Sequence, residues 1–180
     1  MHKTQKQWCD GIKRQFPTRF HRSRVLDVGS LNVNGTNRYL FHNSQYVGID
    51  IVEGPGVDVV GRAHEHEIIE GEKYDVVLST NALEHDMYWW LTLPQMIRLL
   101  KPDGLMFFSC AYRQRPHGTA KEKSKDSGTA QLEGDWSNYY RNLKVIDVYF
   151  VLHPERSFRS YMVGTTGRDL RFWGIKRGRR

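Results

Sequence analysis

The run Val25-Leu26-Asp27-Val28-Gly29-Ser30, followed later by Tyr46-Val47-Gly48-Ile49-Asp50, narrows what this chain can fold into more than any other feature. Both are short β-branched runs; the first breaks at a glycine into a polar turn and the second ends in an acid. Two such strands predict an open parallel sheet with a ligand crevice at the strands' carboxyl ends. The turn at Gly29 lets backbone N–H groups approach a ligand closely, and Asp50 can accept both hydrogen bonds of a ribose diol. The pair points to an adenosine-containing cofactor.

Missing glycines narrow the cofactor. A dinucleotide fingerprint, G-x-G-x-x-G, needs its second and third glycines so that the backbone can reach a pyrophosphate and the helix can pack tightly. Leu31 and Asn34 stand at those positions. S-adenosylmethionine offers no phosphate, only a zwitterionic methionine tail and a sulfonium, which a polar turn of Ser30, Asn32, Asn34 and Gly35 can serve.

Two further segments carry a resemblance. Tyr74-Asp75-Val76-Val77-Leu78-Ser79-Thr80-Asn81-Ala82-Leu83-Glu84-His85 is similar to the fourth-strand motif of the class I S-adenosylmethionine-dependent methyltransferases, and Leu99-Leu100-Lys101-Pro102-Asp103-Gly104-Leu105-Met106-Phe107-Phe108 resembles their Pro-x-Gly turn and fifth strand. With the first strand, the resemblance spans residues 24 to 110; it departs where Leu31 and Val33 replace the later glycines of the family's first motif. Downstream, Arg115-Pro116-His117-Gly118-Thr119 and Tyr139-Tyr140-Arg141-Asn142-Leu143 resemble small stand-alone methyltransferase-like proteins of bacteria and their phages.

The resemblance implies a single α/β domain over residues 1–180, a doubly wound, mostly parallel Rossmann-like sheet with an antiparallel edge. It implies S-adenosyl-L-methionine as cofactor, with Asp27 meeting the methionine ammonium, Gly29, Ser30 and Asn32 forming the turn, and Asp50 accepting the ribose. Ile51 packs on the adenine in this reading, Ala63 lies in the loop that meets the adenine edge, and Asn81 faces the reaction crevice. For Asp27 a turn or helix cap is the competing role, and for Asp50 a strand-terminating turn acid.

At 180 residues the chain can bury one substantial core but has no room for a separate substrate domain. Hydrophobic content of 39% and aromatic content of 12% are those of a globular protein. No apolar run approaches the roughly 18 residues that span a bilayer, and the first residues lack the apolar stretch of a secretory signal. We therefore expect a soluble, cytoplasmic protein without a membrane partner. Cys9 and Cys110 define neither a disulfide framework nor a metal cluster, and no metal is expected; His64-Glu65-His66-Glu67 comes nearest. A net charge of +7 favours acidic partners such as nucleic acid, or else marks a surface with excess Lys and Arg.

Trp8, Ile12 and Phe16 predict an N-terminal helix over 3–18, lidding the cofactor edge and forming with the residues after it an N-terminal segment 1–22. Strands are expected at 24–28, 45–50, 57–60, 74–79 and 105–110, with a helix at 35–42. A second helix, capped by Asp86, runs to Leu100 and is kinked or divided at Pro94. Residues 113–137 lack apolar periodicity and read as a substrate-side loop, mobile until ligands order it. Residues 145–152, 161–165 and 170–175 read as late strands, before a basic tail.

Transfer from a sulfonium asks mainly that nucleophile, methyl carbon and sulfur be held in line with water excluded. A base is needed only where the acceptor must lose a proton, and His85 and His117 are the candidates. Glu84, Tyr139, Tyr140 and Arg141 are expected on the substrate side; packed-loop roles are the alternative. A small or medium-sized acceptor is favoured, because Asn81-Ala82-Leu83-Glu84 stands where amino-methylating nucleic-acid enzymes carry an Asn/Asp-Pro-Pro-aromatic tetrapeptide. A nucleic-acid methyltransferase, and an idle nucleotide-fold binding module, are the two rival readings.

Overall fold

The computed structural model describes residues 3–67, 73–114, 118–123 and 125–178. After helix α1 (Lys3–Gln15) the chain runs through β1 (Arg24–Val28), β2 (Gln45–Asp50), β3 (Val59–Val60), β4 (Tyr74–Thr80), α2 (Trp89–Leu99) and β5 (Leu100–Ala111). It then forms α3 (Ala120–Lys123), α4 (Val145–Leu152), α5 (Pro154–Ser157), β6 (Phe158–Thr166) and β7 (Asp169–Lys176). One seven-stranded sheet results, in the order β3-β2-β1-β4-β5-β7-β6. Strands β1 to β5 are mutually parallel, and β7 lies antiparallel between β5 and β6. The expected doubly wound sheet with an antiparallel edge is the one that forms.

Period-two alternation divides the core between the two faces. Along β5, Leu105 and Phe107 join Cys9, Ile12, Phe20, Val25 and Leu78 on the α1 face. Met106, Phe108 and Cys110 join Leu26, Val77, Leu93, Met96 and Val148 on the face covered by α2 and α4. Each fully buried side chain of this size contributes about 1.5–3 kcal/mol relative to exposure.

Strand bounds shift, with β3 only Val59–Val60 and β5 reaching back through the expected turn at 101–104 to Leu100, and four further local expectations change. Helix α1 stops at Gln15 rather than 18, because the residue before Pro17 is driven out of helical geometry; Pro17–Phe20 forms a 3-10 turn instead. The helix expected over 35–42 is only a 3-10 turn, Asn37–Leu40, which Thr36 caps by accepting from Arg38 N, and β2 begins soon after it at Gln45. Helix α2 starts at Trp89, with Asp86 accepting from Tyr88 N at 2.7 Å and from the Thr92 hydroxyl, and it runs unbroken past Pro94. The bond that Pro94 forgoes would have gone to Trp90, an exposed residue.

The fourth correction is the largest: residues 145–152 are helix α4, not a strand. Because β7 is antiparallel to both β5 and β6, β6 runs parallel to β5, and joining parallel strands takes a crossover. The Asp147 carboxylate accepts from Lys144 N at 2.8 Å and starts the helix. Val148 and Leu152 are buried one helical turn apart, while Ile146 and Phe150 are 71% and 77% exposed. Among the described residues no helix is long and apolar enough to cross a membrane.

Candidate active site

A cavity of about 390 Å³ opens at the carboxyl ends of β1, β2 and β4. The turn after β1 shapes its floor. Gly29 has φ +77°, and a Cβ there would lie 2.1 Å from the Ala82 Cβ, so only glycine lets the β1 and β4 turns abut. The turn's N–H groups do not face the cavity as expected. Gly29 N and Ser30 N donate to Ile49 O at 2.9 and 3.2 Å, Leu31 N donates to Asp50 Oδ2 at 2.9 Å, and Asn32 N donates to Pro55 O at 2.8 Å. Strand β2 and the loop beyond it consume those donors, leaving side chains to meet a ligand.

Asp27 is buried on this cavity and pinned from one side, its Oδ2 accepting from the Tyr46 hydroxyl at 2.5 Å. Its Oδ1 has no hydrogen-bond partner among the described residues; neither do the Asn37 Oδ1 and the Ser30 hydroxyl, also on the cavity wall. Burial pushes the Asp27 pKa up to about 7, against the lowering pull of the Tyr46 hydroxyl and the Asn37 amide, and the nearby Asp50 charge adds to the rise. An acceptor left unpaired in a buried site costs about 1–3 kcal/mol, which a cationic donor would recover.

Asp50, at the end of β2, accepts from Leu31 N through Oδ2 and from Ile51 N through Oδ1 at 2.8 Å, leaving each oxygen a further lone pair. Burial raises its pKa against those backbone bonds. Ile51 and Ala63 line the same side, Ala63 opening a 3-10 turn, Ala63–Glu65. His64 of that turn lies 4.8 Å from the Tyr88 ring, and the Arg62 guanidinium is 5.9 Å from both the Tyr88 and Trp136 rings.

At the end of β4, Asn81 takes φ +52°, a left-handed backbone rare outside glycine and concentrated at functional sites. Ser109 of β5 holds it, with Asn81 N donating to Ser109 O at 2.8 Å and Asn81 Oδ1 accepting from Ser109 Oγ at 3.0 Å. Glu84 is buried on the wall beyond it. The His85 ring meets the Tyr140 ring edge-on at 5.0 Å, and the Tyr140 hydroxyl reaches Gln114 Oε1 at 3.4 Å.

The structure thus gathers Asp27, Gly29, Ser30, Asp50, Ile51, Ala63, Asn81, Glu84, His85 and Tyr140 around one cavity. Three expected residues do not line it. Asn32 is turned to the loop, where its Oδ1 accepts from Gly35 N at 2.7 Å. Arg141 packs over the Trp89 ring at 5.0 Å and pairs with Asp147 at 3.5 Å, drawn away by the helix that stands where a strand was expected. The Tyr139 hydroxyl is held instead by the Trp89 and Arg141 side chains. His117 lies outside the described residues. Among the described residues no cluster of three His, Cys, Asp or Glu could hold a metal.

Several wall residues were not singled out in advance: Gln5, on the helix expected to lid the cofactor edge; Gln114, Trp136 and the segment 125–129, in the stretch expected on the substrate side; and Asn37. The loop expected over 113–137 is partly ordered by α3 and two 3-10 turns, Gly128–Gln131 and Gly134–Asn138, with Ala120 and Thr129 buried. Gly128 rests on Asp50: a Cβ there would meet Asp50 Oδ1 and Val52 Cγ2 at 2.9 Å.

A family model described as a methyltransferase domain matches residues 1–146. No curated protein matches the sequence. Among solved structures, the chain is similar to 1,6-didemethyltoxoflavin-N1-methyltransferase of Burkholderia thailandensis, crystallised with 1,6-didemethyltoxoflavin and S-adenosylhomocysteine, at TM-score 0.64 and 15% identity over 98% of this chain and 79% of that one. It is similar to the YcgJ protein of Bacillus subtilis at TM-score 0.64 and 12% identity, covering 96% and 99%. A third is the N-methyltransferase NodS of Bradyrhizobium japonicum, at TM-score 0.58 and 12% identity, covering 96% of each chain. At such identities the structures speak for the fold, and the family model speaks for the family: this chain belongs to the methyltransferase-domain family and has its class I, Rossmann-like fold.

Proposed function

We propose that this methyltransferase takes its methyl group from S-adenosylmethionine and passes it to a small-molecule acceptor. The observation that carries the reading is the set of buried acceptors without donors, Asp27 Oδ1 and Asn37 Oδ1, beside the Ser30 hydroxyl at the end of β1. That set suits an α-ammonium, which brings only donors. Asp50 keeps lone pairs for a ribose diol, Ile51 and Ala63 flank the place for an adenine, and Asn81 and Gly29 border the methionine chain. The cofactor's sulfonium supplies a methyl carbon already activated for displacement.

The protein's own part is to bind, orient and exclude water. In this reading Glu84, Tyr140 and Gln114 border the acceptor end beyond Asn81, and His85, on the same wall, takes the proton from an acceptor that must lose one. A small acceptor agrees with a cavity of about 390 Å³ that must hold the cofactor as well, and the Burkholderia relative is crystallised with a small molecule.

Calorimetry with S-adenosylhomocysteine tests the cofactor site. Asp27→Ala removes a charge-assisted bond worth about 1.5–3 kcal/mol and should weaken binding at least about tenfold; unchanged affinity would remove Asp27 from the site. For the acceptor, labelled methyl offered side by side to a metabolite extract, DNA and RNA should enter the small-molecule fraction. Label in nucleic acid, lost in Asn81 or His85 variants, would overturn that part.

A further inference from the structure

Helix α4 carries one charged residue, Asp147, in a run that is otherwise apolar, a composition that predicts burial on all sides. The fold covers only one side. Val148 and Leu152 are buried in the core, while Ile146, Tyr149 and Phe150 are exposed. Helix α2 adds Trp90 and Leu91, exposed large apolar residues in its first turn. The two helices are in contact, and Arg141 bridges them, lying over the Trp89 ring at 5.0 Å and pairing with Asp147 at 3.5 Å. Trp89 and Asp147 are the chain neighbours of Trp90 and Ile146, so the five exposed side chains share the outer surface of the α2 and α4 layer.

Cations border this face. Arg98 lies two turns along α2 from Leu91, on the same side of the helix, and Arg156 follows α4 in helix α5. Lys144 immediately precedes α4 and shares the Tyr112 ring with Arg113, at 4.8 and 5.0 Å, while Arg168 O accepts from Tyr112 N and Arg113 N at 2.8 and 3.2 Å. All of these cations are exposed, and none forms an ion pair among the described residues. Lys144 donates to the Tyr112 carbonyl at 3.2 Å and Arg113 to its hydroxyl at 3.5 Å, neutral groups that leave both charges standing. Of the acids on α2, α4 and α5, Asp147 is paired with Arg141, which leaves Glu155.

A second copy of the chain is a poor match for this face. At about 150–250 Å² for a large aromatic side chain, the five exposures amount to roughly 500–600 Å², short of the roughly 800 Å² that each partner of a stable dimer buries. A two-fold axis would also set the same cationic border against itself. An anionic lipid surface calls for what is present, tryptophan, phenylalanine and leucine on one face with lysine and arginine around it, and it attracts a chain of net charge +7. We propose that the outer face of α2 and α4 docks on an anionic membrane surface, with Trp90, Leu91, Ile146 and Phe150 entering the headgroup boundary and the bordering cations meeting lipid phosphates. The expectation of no membrane partner rested on the lack of a spanning run, which a surface contact does not need.

Flotation with vesicles of phosphatidylcholine alone, and of phosphatidylcholine mixed with phosphatidylglycerol, at low and physiological salt, tests this. The protein should float with the mixed vesicles, and binding should fall several-fold on neutral vesicles or as salt is raised. Ile146→Ser with Phe150→Ser removes apolar area without touching the buried Val148 and Leu152, and should weaken binding at least about tenfold. Arg98→Gln with Arg156→Gln should weaken it about tenfold and flatten the salt dependence. Both pairs should keep the circular dichroism spectrum and melting temperature of the parent, which separates a lost surface from a lost fold. The pair Arg22→Asn and Val60→Ser removes an exposed cation and an exposed apolar side chain outside this face, and should bind as the parent protein. No binding to the mixed vesicles, full binding by the Ile146 and Phe150 variant, or equal loss in the Arg22 and Val60 variant would overturn the proposal. So would a dimer in sedimentation, or duplex DNA binding, that the surface variants abolish in a protein that leaves vesicles alone.

Discussion

The two ends of one parallel sheet are built to opposite electrostatic plans. At the carboxyl end, Asp27, Asp50 and Glu84 are gathered on a cavity wall, two of them with raised or unmatched demands that a cationic ligand would meet. At the amino end the charges are largely answered: Lys101 donates to Asp75, Arg159 pairs with Asp103, and Lys176 Nζ donates to the carbonyls of Ile97 and Leu100 at the end of α2. The lesson is that the net charge of +7 describes neither end. An acid-lined pocket with unmet demands and an end whose charges are answered coexist because the strands separate them.

The largest expected effect sharpens the carboxyl end. Gly29→Ala forces a Cβ to within 2.1 Å of Ala82 at a left-handed φ, which should cost about 3 kcal/mol or more and abolish S-adenosylhomocysteine binding. Calorimetry and thermal melting check it; a variant that folds and binds normally would show that the two turns can part.

Asp27 next gives a pH test with a definite sign. Its folded pKa of about 7 lies above its unfolded value, so the stability it confers is fully present below about pH 4 and is lost as pH rises through 7. The cost of ionising it in the empty protein reaches about 4 kcal/mol. An ammonium partner favours the ionised form, so affinity for S-adenosylhomocysteine should rise up to about tenfold per pH unit below 7 and level off above it. Tyr46→Phe removes a bond to the carboxylate and should move that break to higher pH. A flat affinity profile from about pH 5.5 to 8 would break the contrast between the ends, because Asp27 would then be just a buried turn acid.

A smaller effect concerns the strap over Asp50. Gly128→Ala meets Asp50 Oδ1 and Val52 Cγ2 at 2.9 Å, so the segment must lift slightly, and stopped-flow measurements should show cofactor release speeding up a few-fold, with little change in melting temperature. Smallest is Asn32→Ala, which loses the bond from Gly35 N and should cost about 1 kcal/mol of stability while leaving cofactor affinity within about twofold. A large affinity loss there would return Asn32 to the ligand wall.

Much of the site was legible because it lies where a strand ends. Val25 to Gly29, Ile49 to Asp50 and Ser79 to Asn81 are strand-to-turn junctions, and in a parallel sheet all such junctions fall on one side. Tyr139 and Arg141 were misplaced because neighbouring residues in an irregular segment can diverge, one into the cavity and the next onto a helix. Gln5 sits on the helix expected to lid the cofactor edge, but neither it nor Asn37 stood out by itself, since an amide on a helix or in a turn reads as ordinary surface.

The chain's own order of residues settled what is local and periodic: the β-branched runs, the glycine at the first turn, the acid after the second strand and the alternation that splits the core between two faces. Non-local choices waited for the assembled fold. Residues 145–152, β-branched and apolar, became helix α4 because a parallel crossover from β5 to β6 required it, and packing against the sheet outweighed a propensity difference of under about 1 kcal/mol per residue. The donors of the Gly29 turn went to Ile49 and Asp50 for the same reason: those acceptors lie on the neighbouring strand, and no spacing along the chain shows that they arrive first.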